Sequence, residues 1–136
     1  MAGKYQRKRI KTFMGFVHLG LENGYTEKPI PISEYIHAIQ SYQRGLILQK
    51  KIYLSVSTSE SHMVLDGQNE PHIRLEFLNY PRFPLEQDVF KSEVIAMVEH
   101  LMEVFRQNRT VVVFTDETIM LQNNTEIDPR ITHDIS

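Results

Sequence analysis

The sequence predicts an α+β domain of ferredoxin-like β-α-β-β-α-β order, with a four-stranded antiparallel sheet carrying two helices on one face. Three observations predict it. Segments of period two and of period 3.6 succeed one another in that order. An Asp66-Gly67 pair joins the two middle strand-like runs, a short hairpin signal. The connections before the two helices carry proline, in Pro29 and Pro31 and again in Pro81 and Pro84, so neither helix can run back into the strand before it. Right-handed crossovers around a paired middle hairpin then give the spatial strand order 4-1-3-2.

The first strand is read over residues 12–22. Phe13, Val17, Leu19 and Leu21 occupy one face and Met14, Phe16 and His18 the other, and Glu22-Asn23-Gly24 supplies a turn. The first helix is expected from Ser33, whose hydroxyl can cap it, with Glu34 favoured by the positive end of the helix dipole. Tyr35, Ile39, Tyr42 and Leu46 make its apolar stripe, and Gly45 is expected to end it or to sit in its last turn.

The second strand is read from Ile52, Leu54 and Val56 alternating with Tyr53, Ser55 and Ser57, followed by a polar interval and then residues 62–65. Residues 72–78 form the third, where Ile73, Leu75 and Phe77 share one face and His72, Arg74 and Glu76 the other. After the Tyr80-Pro81-Arg82-Phe83-Pro84 loop, the second helix runs from about residue 85 or 88 to 107. Phe90, Val94, Met97, Leu101, Val104 and Phe105 are its buried stripe, and Glu93, Glu99, Glu103 and Arg106 face water. Residues 110–121 read as one final strand, and the apolar run at its start predicts burial on both faces.

At 136 residues the chain is one domain's worth, with 41% hydrophobic and 24% charged residues. Residues 12–122 are expected to form the domain, residues 1–11 a basic flexible segment and residues 123–136 a flexible tail. There is no cysteine, which excludes disulfides, thiolate metal sites and thiol catalysis. No signal-like or membrane-spanning run is present, so the expected compartment is the cytoplasm and no membrane partner is expected.

Net charge is −2, yet Lys4, Arg7, Lys8, Arg9 and Lys11 put five cations in the first eleven positions and leave residues 12–136 at −7. A body that acidic repels phosphate backbones, so nucleic acid is not the expected partner, and only the leading segment could attract one.

No glycine cluster, nucleophile elbow or paired-histidine spacing fixes a reaction, and no cofactor or metal is implied. The candidate site is instead a surface. If Ile73, Leu75 and Phe77 face the helices, then His72, Arg74 and Glu76 share the uncovered face with Ser55 and, from the first strand, His18. Arg74 could hold a polar or anionic small molecule in a forked geometry. The same face carries Met14, Phe16 and Tyr53, which predicts a homo-oligomer formed through it. The leading functional expectation is therefore an oligomeric small-ligand-binding or interaction module. An enzyme of the ferredoxin-like dimeric-barrel kind, with His18 or His72 as acid/base, stands second. A nucleic-acid-associated protein using its basic N-terminal arm stands third.

Overall fold

A computed structural model describes residues 3–22 and 28–124. The elements are β1 (Met14–Gly20), α1 (Ile32–Lys50), β2 (Val56–Leu65), β3 (Gln68–Leu78), α2 (Gln87–Val104), β4 (Arg109–Phe114) and β5 (Thr118–Gln122). The fold is α+β, with one five-stranded sheet ordered β2-β3-β1-β4-β5 and every neighbouring pair antiparallel.

The expected count of four strands is corrected to five. The run read as one strand over residues 110–121 is a hairpin, because Thr115, Asp116 and Glu117 interrupt it. The Phe114 amide donates to the Glu117 carbonyl at 2.8 Å. The Lys91 ammonium of α2 reaches Asp116 at 2.7 Å and Glu117 at 3.4 Å, tying the turn to the helix. Burial of β4 on both faces is corrected as well. Val112 is fully buried while Val111 is 40% exposed, since the helices cover one side of the sheet only.

On that side lies a single core. Val17 and Leu19 of β1, Ile73, Leu75 and Phe77 of β3 and Val112 and Phe114 of β4 meet Tyr35, Ile39 and Leu46 of α1 and Phe90, Val94, Met97, Val98 and Leu101 of α2. Each large side chain so buried contributes on the order of 1.5–3 kcal/mol, and the period-two and period-3.6 patterns decide which ones are.

Helix ends depart from expectation. α1 begins one residue before Ser33, with Pro31 in the cap position and no side-chain cap. It runs through Gly45 and stops at Lys51, which takes the left-handed conformation (φ 56°) usually left to glycine. In α2, Glu93, expected in water, is buried, and Lys50 at the end of α1 reaches across to it at 3.1 Å. Val104, expected in the stripe, is exposed at the last residue of the helix.

The second strand is continuous from Val56 to Leu65 where a polar interruption was expected, since its serines and threonine pair with β3 across ten consecutive rungs. Asp66, at φ 52°, and Gly67 make the hairpin turn. Of the turn read at Glu22-Asn23-Gly24, all but Glu22 lies outside the described residues, as does most of the segment read as a C-terminal tail. No helix among the described residues is long and apolar enough to cross a membrane.

Candidate functional site

The sheet face away from the helices is built by the ladder itself. Antiparallel pairing sets Gly20, His72 and Ser61 in one row, His18, Arg74 and Ser59 in the next, and Phe16, Glu76 and Ser57 in the third. Ile73, Leu75 and Phe77 are fully buried beneath the helices. The side chains between them therefore emerge on the far side, half-buried among their neighbours.

Arg74 spreads its guanidinium over the Phe16 ring, 4.1 Å from the centroid, with one nitrogen 3.6 Å from the Glu76 carboxylate. That distance is an ion pair without a hydrogen bond. His18 Nδ1 lies 3.0 Å from the Ser61 hydroxyl, diagonally across β3, and its ring meets Phe16 edge-on. Partial burial, reinforced by the charges of Arg74 and His72, holds the His18 pKa below its ordinary value.

Of the five residues expected here, four share the face. Ser55 does not join the ladder: it precedes β2 and is exposed, and Ser61 makes the histidine contact instead. Tyr53 also lies before the strand, stacked on Phe83 of the proline-bearing loop with centroids 4.4 Å apart.

At the Gly20 end the face runs into a buried polar cluster that the sequence pattern did not indicate. His72 begins it. Its Nδ1 lies 3.0 Å from the Glu70 carbonyl, which can only accept, so Nδ1 carries the proton and Nε2 is left as the basic nitrogen. Burial pushes the His72 pKa down, against weaker opposing effects of the Glu70 carbonyl bond and the Glu22 charge.

Glu70 is 6% exposed and Glu22 8%. Continuing the β1–β3 register past Gly20↔His72 sets these two carboxylates opposite each other, and the Leu21 amide bond to the Pro71 carbonyl at 2.9 Å keeps that extension paired. The Gln68 amide donates to the second Glu70 oxygen at 3.1 Å.

Gly20 makes this convergence possible. A Cβ there would collide with the first Glu70 carboxylate oxygen and stand 2.6 Å from the Gln107 amide oxygen. In the absence of one, Gln107, from the loop after α2, accepts from the Gly20 amide at 3.0 Å and donates to the carbonyls of Glu22 (2.8 Å) and Phe105 (2.9 Å). The Tyr35 hydroxyl donates to the Gly20 carbonyl at 2.8 Å, its ring stacked on Phe105 at 3.9 Å. Burial, and then the Glu70 charge, drive the Tyr35 pKa far above its ordinary value.

Along β3, then, the site presents the Glu70 carboxylate, with Glu22 opposite it, the His72 imidazole and the Arg74 guanidinium. Carboxylates suit a cationic centre or a vicinal diol, and the guanidinium suits a carboxylate. A pattern search could not find Glu22, Tyr35 and Gln107, which come from three separate parts of the chain. Glu70 carried a weak signal, since it keeps the parity of His72 and Arg74 on the strand.

No family model matches the sequence, and no curated protein matches it. Two solved structures do match its fold. One is a phage SAM lyase in complex with S-methyl-5'-thioadenosine, 15% identical, with a TM-score of 0.64 over 88% of this chain and 96% of that one. The other is a phage SAM lyase in the apo state, 17% identical, with a TM-score of 0.64 over 90% of this chain and 100% of that one. At that identity the likeness is one of fold.

Proposed function

We propose that this chain is an enzyme acting on an S-adenosyl sulfonium compound, with its site at the Gly20 end of the sheet. The observation that carries the reading is Glu70, a carboxylate buried beside Gly20 in a fold shared with two phage SAM lyase structures. The second expectation from sequence, an enzyme with a histidine acid/base, is thereby favoured over a non-catalytic module. In this reading the strands β2, β3, β1 and β4 with the two helices are a ferredoxin-like unit that β5 extends.

The chemistry of a sulfonium fits such a site. Cleaving one of its C–S bonds sends the bonding pair to sulfur, which leaves as a neutral thioether. The carbon left behind gains its electron pair from a nucleophile within the substrate, or from a C–H bond whose proton passes to a base. His72 Nε2, kept unprotonated near neutral pH by burial, is the base the geometry offers. Glu70 and Glu22 would hold the cationic centre or the ribose hydroxyls, and Arg74, two residues beyond His72, the carboxylate of an amino-acid group.

Calorimetry with S-methyl-5'-thioadenosine and chromatography of S-adenosylmethionine incubated with the protein test the reading together. The expected results are binding of the thioether, its release from the sulfonium, and a loss of roughly a hundredfold or more in kcat/KM for Glu70→Gln at an unchanged melting temperature. The absence of both binding and release with the parent protein would refute the reading.

The earlier expectation of an interaction module keeps one observation in its favour. Val111 and Met120, a facing pair on β4 and β5, are 40% and 54% exposed on the uncovered face. Self-association through that face would cover them and is compatible with a site at its edge.

A further inference from the structure

At the end of the sheet opposite Gly20, three aromatic side chains from two parts of the chain form a surface group. Tyr53 and Tyr80, 41% and 43% exposed, lie with their planes within 19° and 28° of the Phe83 ring, at centroid distances of 4.4 and 6.2 Å. The turn that presents two of them is closed by the Phe83 amide on the Tyr80 carbonyl at 3.0 Å and stiffened by Pro81. Arg82, exposed between them in sequence, stands 5.7 Å from the Phe83 centroid. Core packing does not account for the arrangement, because the outer rings are presented to solvent.

The basic segment leaves the domain beside this group. Asn79 holds the two together: its backbone amide donates to the Phe13 carbonyl at 3.0 Å, its side-chain amide donates to the Lys11 carbonyl at 3.1 Å, and its side-chain oxygen accepts from the Leu85 amide at 3.0 Å. Outward from Lys11 the chain is neither helix nor strand, and residues 3–9 are all exposed. Lys11 lies in the field of Asp116. Lys4, Arg7, Lys8 and Arg9 have no ion pair among the described residues, and the first acidic residue of the chain is Glu22, at the far end of β1.

We infer that the N-terminal arm and the Tyr53–Tyr80–Phe83 group together form a binding surface for single-stranded nucleic acid. Parallel ring faces take unpaired bases by stacking, which duplex bases cannot supply, while Arg82 and the arm run along the phosphates. The acidic body, at −7, keeps the strand off the rest of the surface and confines it to this end. This surface is independent of the proposed sulfonium chemistry at the other end of β1.

Fluorescence anisotropy with a labelled oligothymidylate of about 15 nucleotides, near the upper limit of what one small domain spans, tests the inference on the full chain. With roughly five phosphate contacts, log affinity should fall with log salt at a slope of about −3.5, or roughly a hundredfold for a fourfold rise in salt. Deleting residues 1–10, which leaves the Asn79 clamp in place, should remove most of that slope. Tyr53→Ala with Tyr80→Ala should weaken binding by roughly tenfold or more at the parent slope, with circular dichroism confirming that both variants are folded. The inference is overturned by no binding at about 50 mM salt, by equal affinity for a duplex of the same length, by parent affinity in the folded tyrosine variant, or by capture on phosphatidylserine vesicles with none on the oligonucleotide.

Discussion

Tyr35→Phe separates a hydroxyl from the ring that carries it. The ring is fully buried and stacks on Phe105, and phenylalanine keeps that contact, so what is lost is the 2.8 Å bond to the Gly20 carbonyl. Removing one buried donor of this kind costs about 1–1.5 kcal/mol. In a chain of 136 residues that lowers the melting temperature by roughly 3–5 °C. The penalty depends on pH. Folded Tyr35 keeps its proton well above the ordinary value of 10.0, whereas unfolded Tyr35 loses it there. The unfolded state thus binds fewer protons, and the parent loses stability as pH rises past 10, by about 1.4 kcal/mol per unit. The variant lacks this loss, so the two should become equally stable at about pH 11. Urea titrations of both proteins between about pH 7 and 11 measure the gap, with unchanged m-values showing that the unfolded states match. Equal midpoints at neutral pH, or a gap that stays constant through pH 11, would refute the reasoning.

Gly45→Ala should stabilise the protein by about 1 kcal/mol in the same titration, because the glycine sits inside α1 and an added Cβ meets nothing within 4 Å. Arg74→Lys should leave stability within about 0.5 kcal/mol, since the pair with Glu76 is long and half-exposed. It should weaken binding of S-adenosylmethionine by on the order of 1–3 kcal/mol on calorimetry, and unchanged affinity would reduce Arg74 to a partner of Glu76 and Phe16. The pKa of His18 is lowered from 6.5, so the unfolded state takes up its proton first and stability falls as pH drops below that value. His18→Gln should make the acid limb of the stability profile shallower, and an unaltered limb would contradict the assignment.

The elements legible in the sequence were those whose burial follows a single period. Alternation alone gave the facing of Ile73, Leu75 and Phe77 and of the residues between them, and Asp66-Gly67 marked the hairpin turn. Errors came where a local signal competes with tertiary pairing. Ser33 is a good cap by composition, but Pro31, with φ already near the helical value, starts the helix earlier. Gly45 costs the helix less than the turns beyond it gain by docking. The apolar run after Thr110 hid a two-strand turn because its valines alternate in burial without alternating in chemistry. The site was half legible for the same reason. His18, His72, Arg74 and Glu76 lie on strands whose parity a pattern reveals, whereas Gln107 and Tyr35 reach Gly20 from a loop and a helix, 87 and 15 residues away in sequence.

Gly20 shows why the cluster is more than a packing accident. A glycine inside a strand costs backbone entropy and contributes no side-chain contact. Here its amide and carbonyl are taken by Gln107 and Tyr35, and the room it leaves is filled by a glutamate and a glutamine oxygen. If stability alone had shaped this end of the sheet, an aliphatic residue at position 20 beside another at position 70 would dispense with the buried Glu70 carboxylate and its desolvation. The chain instead holds Glu22 and Glu70 in facing, buried positions. Buried polar groups gathered in this way are common at sites that bind or transform a ligand. Arg74, four residues along the same face, with Glu76 at 3.6 Å and the Phe16 ring beneath it, bears the opposite charge. In the proposed reading, Glu70 and Arg74 on β3 would supply the counter-charges for the two ends of a zwitterionic, cation-bearing small molecule.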